Sequence, residues 1–169
     1  MVKRRYFLSF LLLFAGLAVP AAAQQTRLYL FWSENCPICL FYGRELQHLQ
    51  TRYGETVEWV FVFPNQLSTD SSAQAYLSKN KLKGRVEVEK AAMLVDLYNI
   101  EVTPEVVLLS ERNVVLYAGR IDNSYEKIGR RRPKATATEL SDRLQKVADK
   151  EDFPYIRTRA VGCFLHSDF

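Results

Sequence analysis

Two cysteines spaced three apart, Cys36 and Cys39, stand in the stretch "FWSENCPICL" (31–40). They follow a run of β-forming residues and open a helical pattern. The junction fixes much of what can surround it: a buried strand must deliver the chain to a helix N-terminus, with the first sulfur at the turn. Taken alone, the pair reads as a redox couple, half of a metal site or a structural staple. A third cysteine, Cys163, leaves an odd count.

The pattern along the chain supplies the context. "TRLYLFW" (26–32) suits a buried strand, because Leu, Tyr, Phe and Trp dominate while alternation is weak. Residues 36–54 read as a helix: Leu40, Leu46, Leu49 and Tyr53 roughly follow the helical period, Pro37 fits the first turn and Gly54 the stop. A strand is expected over 56–64, then a helix over 68–82 with Ser or Asp at its start and Gly84 after it. A short strand (85–89), a short helix (90–100) and a hairpin of 105–110 with 113–119 follow. A last amphipathic helix covers 137–150, capped by Thr138. The basic loop 119–136 and the tail 151–169 show no clear period. Early βαβ units favour parallel strands and the hairpin adds antiparallel ones, so the expected class is α/β, a central mixed sheet with helices on both faces plus a C-terminal extension.

The first residues stand apart from this domain. "MVKRR" is a basic segment, "YFLSFLLLFAGLAV" an apolar one and "PAAAQ" a small-residue site, which together read as a secretory signal peptide ending at Ala23. The domain then runs over 24–150 and the tail carrying Cys163 over 151–169. The apolar run is short for a bilayer span, no later stretch is long enough, and no cysteine at the cleavage point indicates a lipid anchor. The formal net charge of +4 includes Lys3, Arg4 and Arg5, so removing them leaves +1. A nearly neutral mature chain gives no electrostatic reason for nucleic acid or anionic lipid as partner. Export points to a bacterial periplasm, where disulfide chemistry is permitted.

At the start of a helix, unpaired backbone N–H groups and the helix dipole favour a thiolate. Cys36 is therefore expected to be exposed with a lowered pKa, and to act as nucleophile. Cys39, nearly one turn on and shielded, suits the resolving thiol that releases a bound partner. A staple between such close neighbours would constrain little.

"LYLFWSENCPIC" together with "YNIEVTPEVVLLSERNVVLYAG" resembles the thioredoxin superfamily, over about residues 27–125, and more narrowly its exported redoxin-type members. The resemblance implies a thioredoxin-like fold and a thiol–disulfide oxidoreductase with no cofactor beyond the redox-active disulfide. Its partners would be protein thiols or disulfides and a membrane thiol–disulfide electron donor. It also implies that Pro104 is cis and that Thr103 offers its backbone to an extended substrate. Trp32, Pro37 and Ile38 would complete the substrate-binding surface, Trp32 reading equally as core packing. "YAGRIDNSY", the basic loop and "VGCFL" resemble the C-terminal portion of some bacterial redoxin-domain proteins, in which Arg120 and Asp122 would hold the tail and Cys163 would be a third redox cysteine. "GRRRP" (129–133) reads as a solvated loop or as a dock for an acidic partner.

The chain departs from this pattern in places. Leu30 stands where thioredoxin has a buried acid, so Glu34, Glu101 and Glu105 are the substitute proton acceptors near Cys39, each reading also as a solvated surface acid. Pro37 is first between the cysteines rather than second. Ser33 stands three before Cys36, as in peroxiredoxins, but Tyr29 occupies their proline place, leaving half a thiol peroxidase motif. Cys36, Cys39, Cys163 and His166 form a C-x-x-C…C-x-x-H set that zinc or Cu(I) accepts, the alternative being a metallochaperone-like module. His48, on the first helix, reads as a surface residue.

Overall fold

The computed structural model describes residues 25–89 and 92–165; the expected signal peptide and His166 lie outside them. The chain is built around β1 (Arg27–Phe31), which pairs in parallel with β2 (Glu58–Phe63) and antiparallel with β5 (Glu105–Leu109). β3 (Arg85–Val88) extends β2 in parallel and β6 (Val115–Gly119) extends β5 antiparallel. The six-stranded order is β3-β2-β1-β5-β6-β9, with β9 (Ile156–Arg157) parallel to β6 at the edge. This is the mixed sheet expected from the order of elements.

Both faces of the sheet are covered, which is why the central strands read as continuous apolar runs. Leu28, Leu30 and Trp32 point to one layer, where they meet Tyr42 and Leu46 of α1 (Pro37–Tyr53), Leu77 of α2 (Asp70–Lys79) and Leu140 of α4 (Glu139–Ala148). Tyr29 and Phe31 point the other way, against Val95 of α3 (Met93–Tyr98) and Ile100. The strand period of two thus splits one apolar run between two cores. Thr69 caps α2, accepting from the Ser72 backbone N–H, so the expected start at Ser68 or Asp70 moves to the residue between them. Thr138 stands at the N-cap of α4 but does not cap it: its hydroxyl donates to Asp142 Oδ1 at 3.1 Å.

The segments without a sequence period also form structure. β4 (Val102–Thr103) pairs antiparallel with β10 (Cys163–Phe164), and β7 (Tyr125–Lys127) with β8 (Arg130–Arg131). Arg130 and Arg132 both pair with Glu126, and Arg131 lies over the Phe41 ring, 4.7 Å from its centroid. The charges of "GRRRP" are therefore engaged within the domain. No helix among the described residues is long and apolar enough to cross a membrane.

Candidate functional site

The site forms where β1 hands the chain to α1. Trp32 N–H donates to the Val62 carbonyl at 2.8 Å, extending the pairing of β1 with β2, and Ser33 to Asn35 turn the chain. Glu34 steadies this turn by accepting from the Ser68 and Ser72 hydroxyls at 3.1 and 2.9 Å. Cys36 is the N-cap residue of α1, with Pro37 in the first turn where its missing N–H costs no hydrogen bond. Pro37 is exposed and Ile38 buried.

Cys36 is not the open thiol expected from its position. It is 2% exposed and joined in a disulfide to Cys163, because β10 lies over it. Its Sγ sits 3.2 Å from the Thr103 carbonyl oxygen, an atom that accepts a hydrogen bond when Cys36 is a thiol. The Thr103–Pro104 peptide is cis. Thr103 is buried and touches both cysteines of the pair, its side chain hydrogen-bonding with Cys39. Around the sulfurs runs a cleft lined by Ser33, Pro64, Leu67, Thr103 and Phe164. Of these, Leu67 and Phe164 are exposed apolar residues. Trp32 also lines this cleft, but its side chain is fully buried and stands edge-on against Phe61, so it forms the floor of the cleft and part of the core at once.

Cys39 is a free thiol with no exposure. Burial pushes its pKa up to about 12, while hydrogen bonds from the Ser33 backbone and the Thr103 side chain pull it slightly back. Among the described residues, no carboxylate is in the set of groups acting on it. Attack by Cys39 on a disulfide therefore requires a rare thiolate, about one in 10⁵ at pH 7. The expected result is an intramolecular step that quickens about tenfold per pH unit from 7 to 10 without a plateau. Stopped-flow decay of a mixed disulfide on Cys36, in a Cys163→Ser chain so that Cys39 alone can resolve it, measures the step; a plateau below pH 9 would mean that another group takes the proton.

The three acids expected near Cys39 have other roles. Glu34 holds the turn to α2, and Glu101 is exposed, its carbonyl accepting from Leu165 N–H at 3.2 Å. Glu105 is not a solvated acid. It is 4% exposed and paired with Arg157 at 2.8 Å, a residue whose guanidinium also donates to the Tyr98 and Asn99 carbonyls. Burial raises the Glu105 pKa despite Arg157. The folded chain thus holds the Glu105 proton more tightly than the unfolded chain, and this contribution to stability is lost as pH rises from the ordinary carboxylate value through the folded one. Denaturant unfolding between pH 4 and 7 should show the wild-type chain losing stability relative to Glu105→Gln as pH rises; a relative gain would contradict the burial argument.

Arg120 and Asp122 do not pair with each other. The Arg120 guanidinium binds Glu139 at the start of α4, while its backbone N–H donates to Thr158 in the tail at 3.1 Å. Asp122 is buried and accepts from the Tyr42 hydroxyl and the Ser124 N–H, both at 2.7 Å, fixing α1 to the loop. Of the two, Arg120 is the one seen to meet the tail, and it does so through its backbone N–H. His48 is exposed on α1, as its position suggests. Of the four residues read as metal ligands, Cys36 and Cys163 are bonded to each other and offer no thiolate in this form, and His166 lies outside the described residues. Sequence reasoning missed Gly162, whose place directly before Cys163 was the available signal.

No family model matches the chain. It is 27% identical over 90 residues to the thiol-disulfide oxidoreductase ResA of Halalkalibacterium halodurans, a match covering 51% of this chain and 48% of the relative. The chain thus spans about half the length of that curated relative. Among solved structures, a hypothetical protein from Sinorhizobium meliloti superposes with a TM-score of 0.71 at 17% identity, covering 84% of this chain and 79% of that one. An uncharacterized conserved protein from Geobacillus kaustophilus gives 0.71 at 16% identity, covering 83% and 76%. A thioredoxin-like protein in its oxidized form gives 0.56 at 14% identity, covering 76% and 81%. These structural likenesses are likenesses of fold.

Proposed function

We propose that this chain is a member of the thioredoxin superfamily and an exported thiol–disulfide oxidoreductase, with Cys36 as nucleophile and Cys39 as resolving thiol. The observation that carries the reading is the placement of Cys36 Sγ: in a disulfide, at the N-terminus of α1, against the Thr103 carbonyl, with a buried second thiol one turn on. The Cys36 thiolate attacks one sulfur of a substrate disulfide, forms a mixed disulfide and expels the other substrate sulfur as thiolate. Cys39, losing its proton, then attacks Cys36 Sγ. A Cys36–Cys39 disulfide forms and the remaining substrate sulfur leaves as thiolate, so one substrate disulfide is reduced as one protein disulfide is made. The reverse sequence oxidises substrate thiols.

The chemistry needs no cofactor, since the two sulfurs carry both electrons. The substrates are protein thiols or disulfides, and a membrane thiol–disulfide protein is the class of partner that would reset the pair. The basic, apolar and small-residue segments of residues 1–23 support export to a bacterial periplasm. Disulfide exchange on a protein substrate tests the reading: the wild-type chain should catalyse it and Cys36→Ser should not.

A further inference from the structure

We propose that residues 162–165 are a built-in occupant of the substrate groove, in which Cys163 is a redox-active third cysteine that holds Cys36 as a resting disulfide opened by Cys39. This rests on the oxidoreductase reading and extends it. An extended substrate approaching Cys36 would lie along β4, beside Pro104. That place is taken by the chain's own tail, which runs antiparallel with Cys163 opposite Thr103 and Phe164 opposite Val102, and continues with Leu165 N–H donating to the Glu101 carbonyl. Strand addition of this kind is how an extended peptide is held on a free edge.

The contact is built for a close approach. A Cβ on Gly162 would lie 2.3 Å from the Thr103 carbonyl oxygen and 2.6 Å from its carbon. These are backbone atoms that cannot rotate away, so only glycine lets Cys163 reach Cys36 along this strand. The same carbonyl oxygen stands 3.2 Å from Cys36 Sγ, so the tail and the nucleophile meet on one group.

The tail is anchored independently of this arm. Arg157 is fixed by Glu105 and two carbonyls. The Thr158 hydroxyl meets the Tyr117 hydroxyl at 2.7 Å, and Thr158 N–H donates to Ala118 at 3.0 Å. Residues 159–162 alone separate the anchor from Cys163, so a released Cys163 stays at high effective concentration near Cys36. Cys36 is sealed, whereas Cys163 is half-buried.

The interconversion is an exchange without net oxidation. The Cys39 sulfur, giving up its proton, bonds to Cys36; the Cys36–Cys163 bond breaks; Cys163 leaves as thiolate and takes a proton. The arm can then lift and expose the groove, while Cys36–Cys39 is the form that oxidises substrate thiols. In the other direction, Cys163 competes with Cys39 to resolve a mixed disulfide on Cys36, leaving the Cys36–Cys163 form and releasing the substrate thiol.

The test is disulfide mapping by peptide mass spectrometry on the full chain, poised in glutathione buffers, for wild type and Gly162→Val, with alkylation of Cys36 timed in the reduced proteins. The oxidised wild type should carry Cys36–Cys163, and Gly162→Val should shift the ratio at least tenfold toward Cys36–Cys39. Alkylation of Cys36 should quicken at least tenfold. Leu165→Pro, which removes the N–H bonded to Glu101, should shift both in the same direction by less; it serves if Gly162→Val fails to fold. Wild type carrying only Cys36–Cys39, or either variant leaving ratio and alkylation unchanged, would overturn the groove-occupant role while substrate exchange persists. A wild-type Cys36–Cys163 bond that never yields Cys36–Cys39 as the buffer is varied would make it a static staple and overturn the proposal equally. Loss of substrate exchange in the wild type itself would instead overturn the oxidoreductase reading.

Discussion

Cys36→Ser is expected to lower catalysed disulfide exchange to background, a loss of roughly a thousandfold or more, because Cys39, the other sulfur in the first turn of α1, is fully buried with its pKa raised by that burial. Cys39→Ser behaves less simply than a two-cysteine enzyme would suggest. The mixed disulfide on Cys36 loses its resolving thiol, but Cys163 remains tethered within reach of the same sulfur. The single variant should therefore collect as Cys36–Cys163, and only Cys39→Ser combined with Cys163→Ser should hold a substrate in stable mixed disulfide. Intact-mass measurement after mixing with a disulfide-bonded peptide distinguishes the two outcomes. A stable adduct on the single variant would remove Cys163 from the exchange.

Trp32→Ala lowers stability by about 3–5 kcal/mol, the usual cost of emptying a large aromatic site in a core. Trp32 has no exposure and is packed against Phe61 between β1 and the helical layer. Against a typical domain stability of about 5–15 kcal/mol, such a loss threatens folding itself. Trp32→Phe keeps most of the apolar volume and should cost much less. Urea unfolding measures both, and the exchange rate per folded molecule should be little changed in Trp32→Phe. A stable Trp32→Phe with greatly weakened substrate exchange would show that the indole acts on substrate as well as in the core.

Much of the fold is visible in local pattern. β1, β2 and α1 carry enough consecutive apolar residues, and the proline and cysteines at the junction mark the turn between them. What local pattern misses depends on chain segments far apart. β9 and β10 are two residues each and exist only because β6 and β4 lie beside them, so no period announces them. Glu105 looks like a surface acid until Arg157, 52 residues later, is brought against it. Cys36 looks like an exposed nucleophile until the tail returns over it. The cysteine pair and the Thr-Pro loop were legible because their meaning is fixed by neighbours in sequence and by resemblance; the partner of Cys36 was not, because it depends on the course of the last residues. Gly162 shows the limit best: its small size has a reason only once the Thr103 carbonyl is known to stand against it.

The central claim is that Cys36 is the sulfur that exchanges with substrate. The chain carrying both Cys39→Ser and Cys163→Ser, mixed with a disulfide-bonded peptide and digested without reduction, tests it directly. The account predicts one peptide adduct, on Cys36, that a thiol reductant releases. An intact Cys36 thiol after prolonged exposure to the peptide, in a chain shown to be folded, would contradict it.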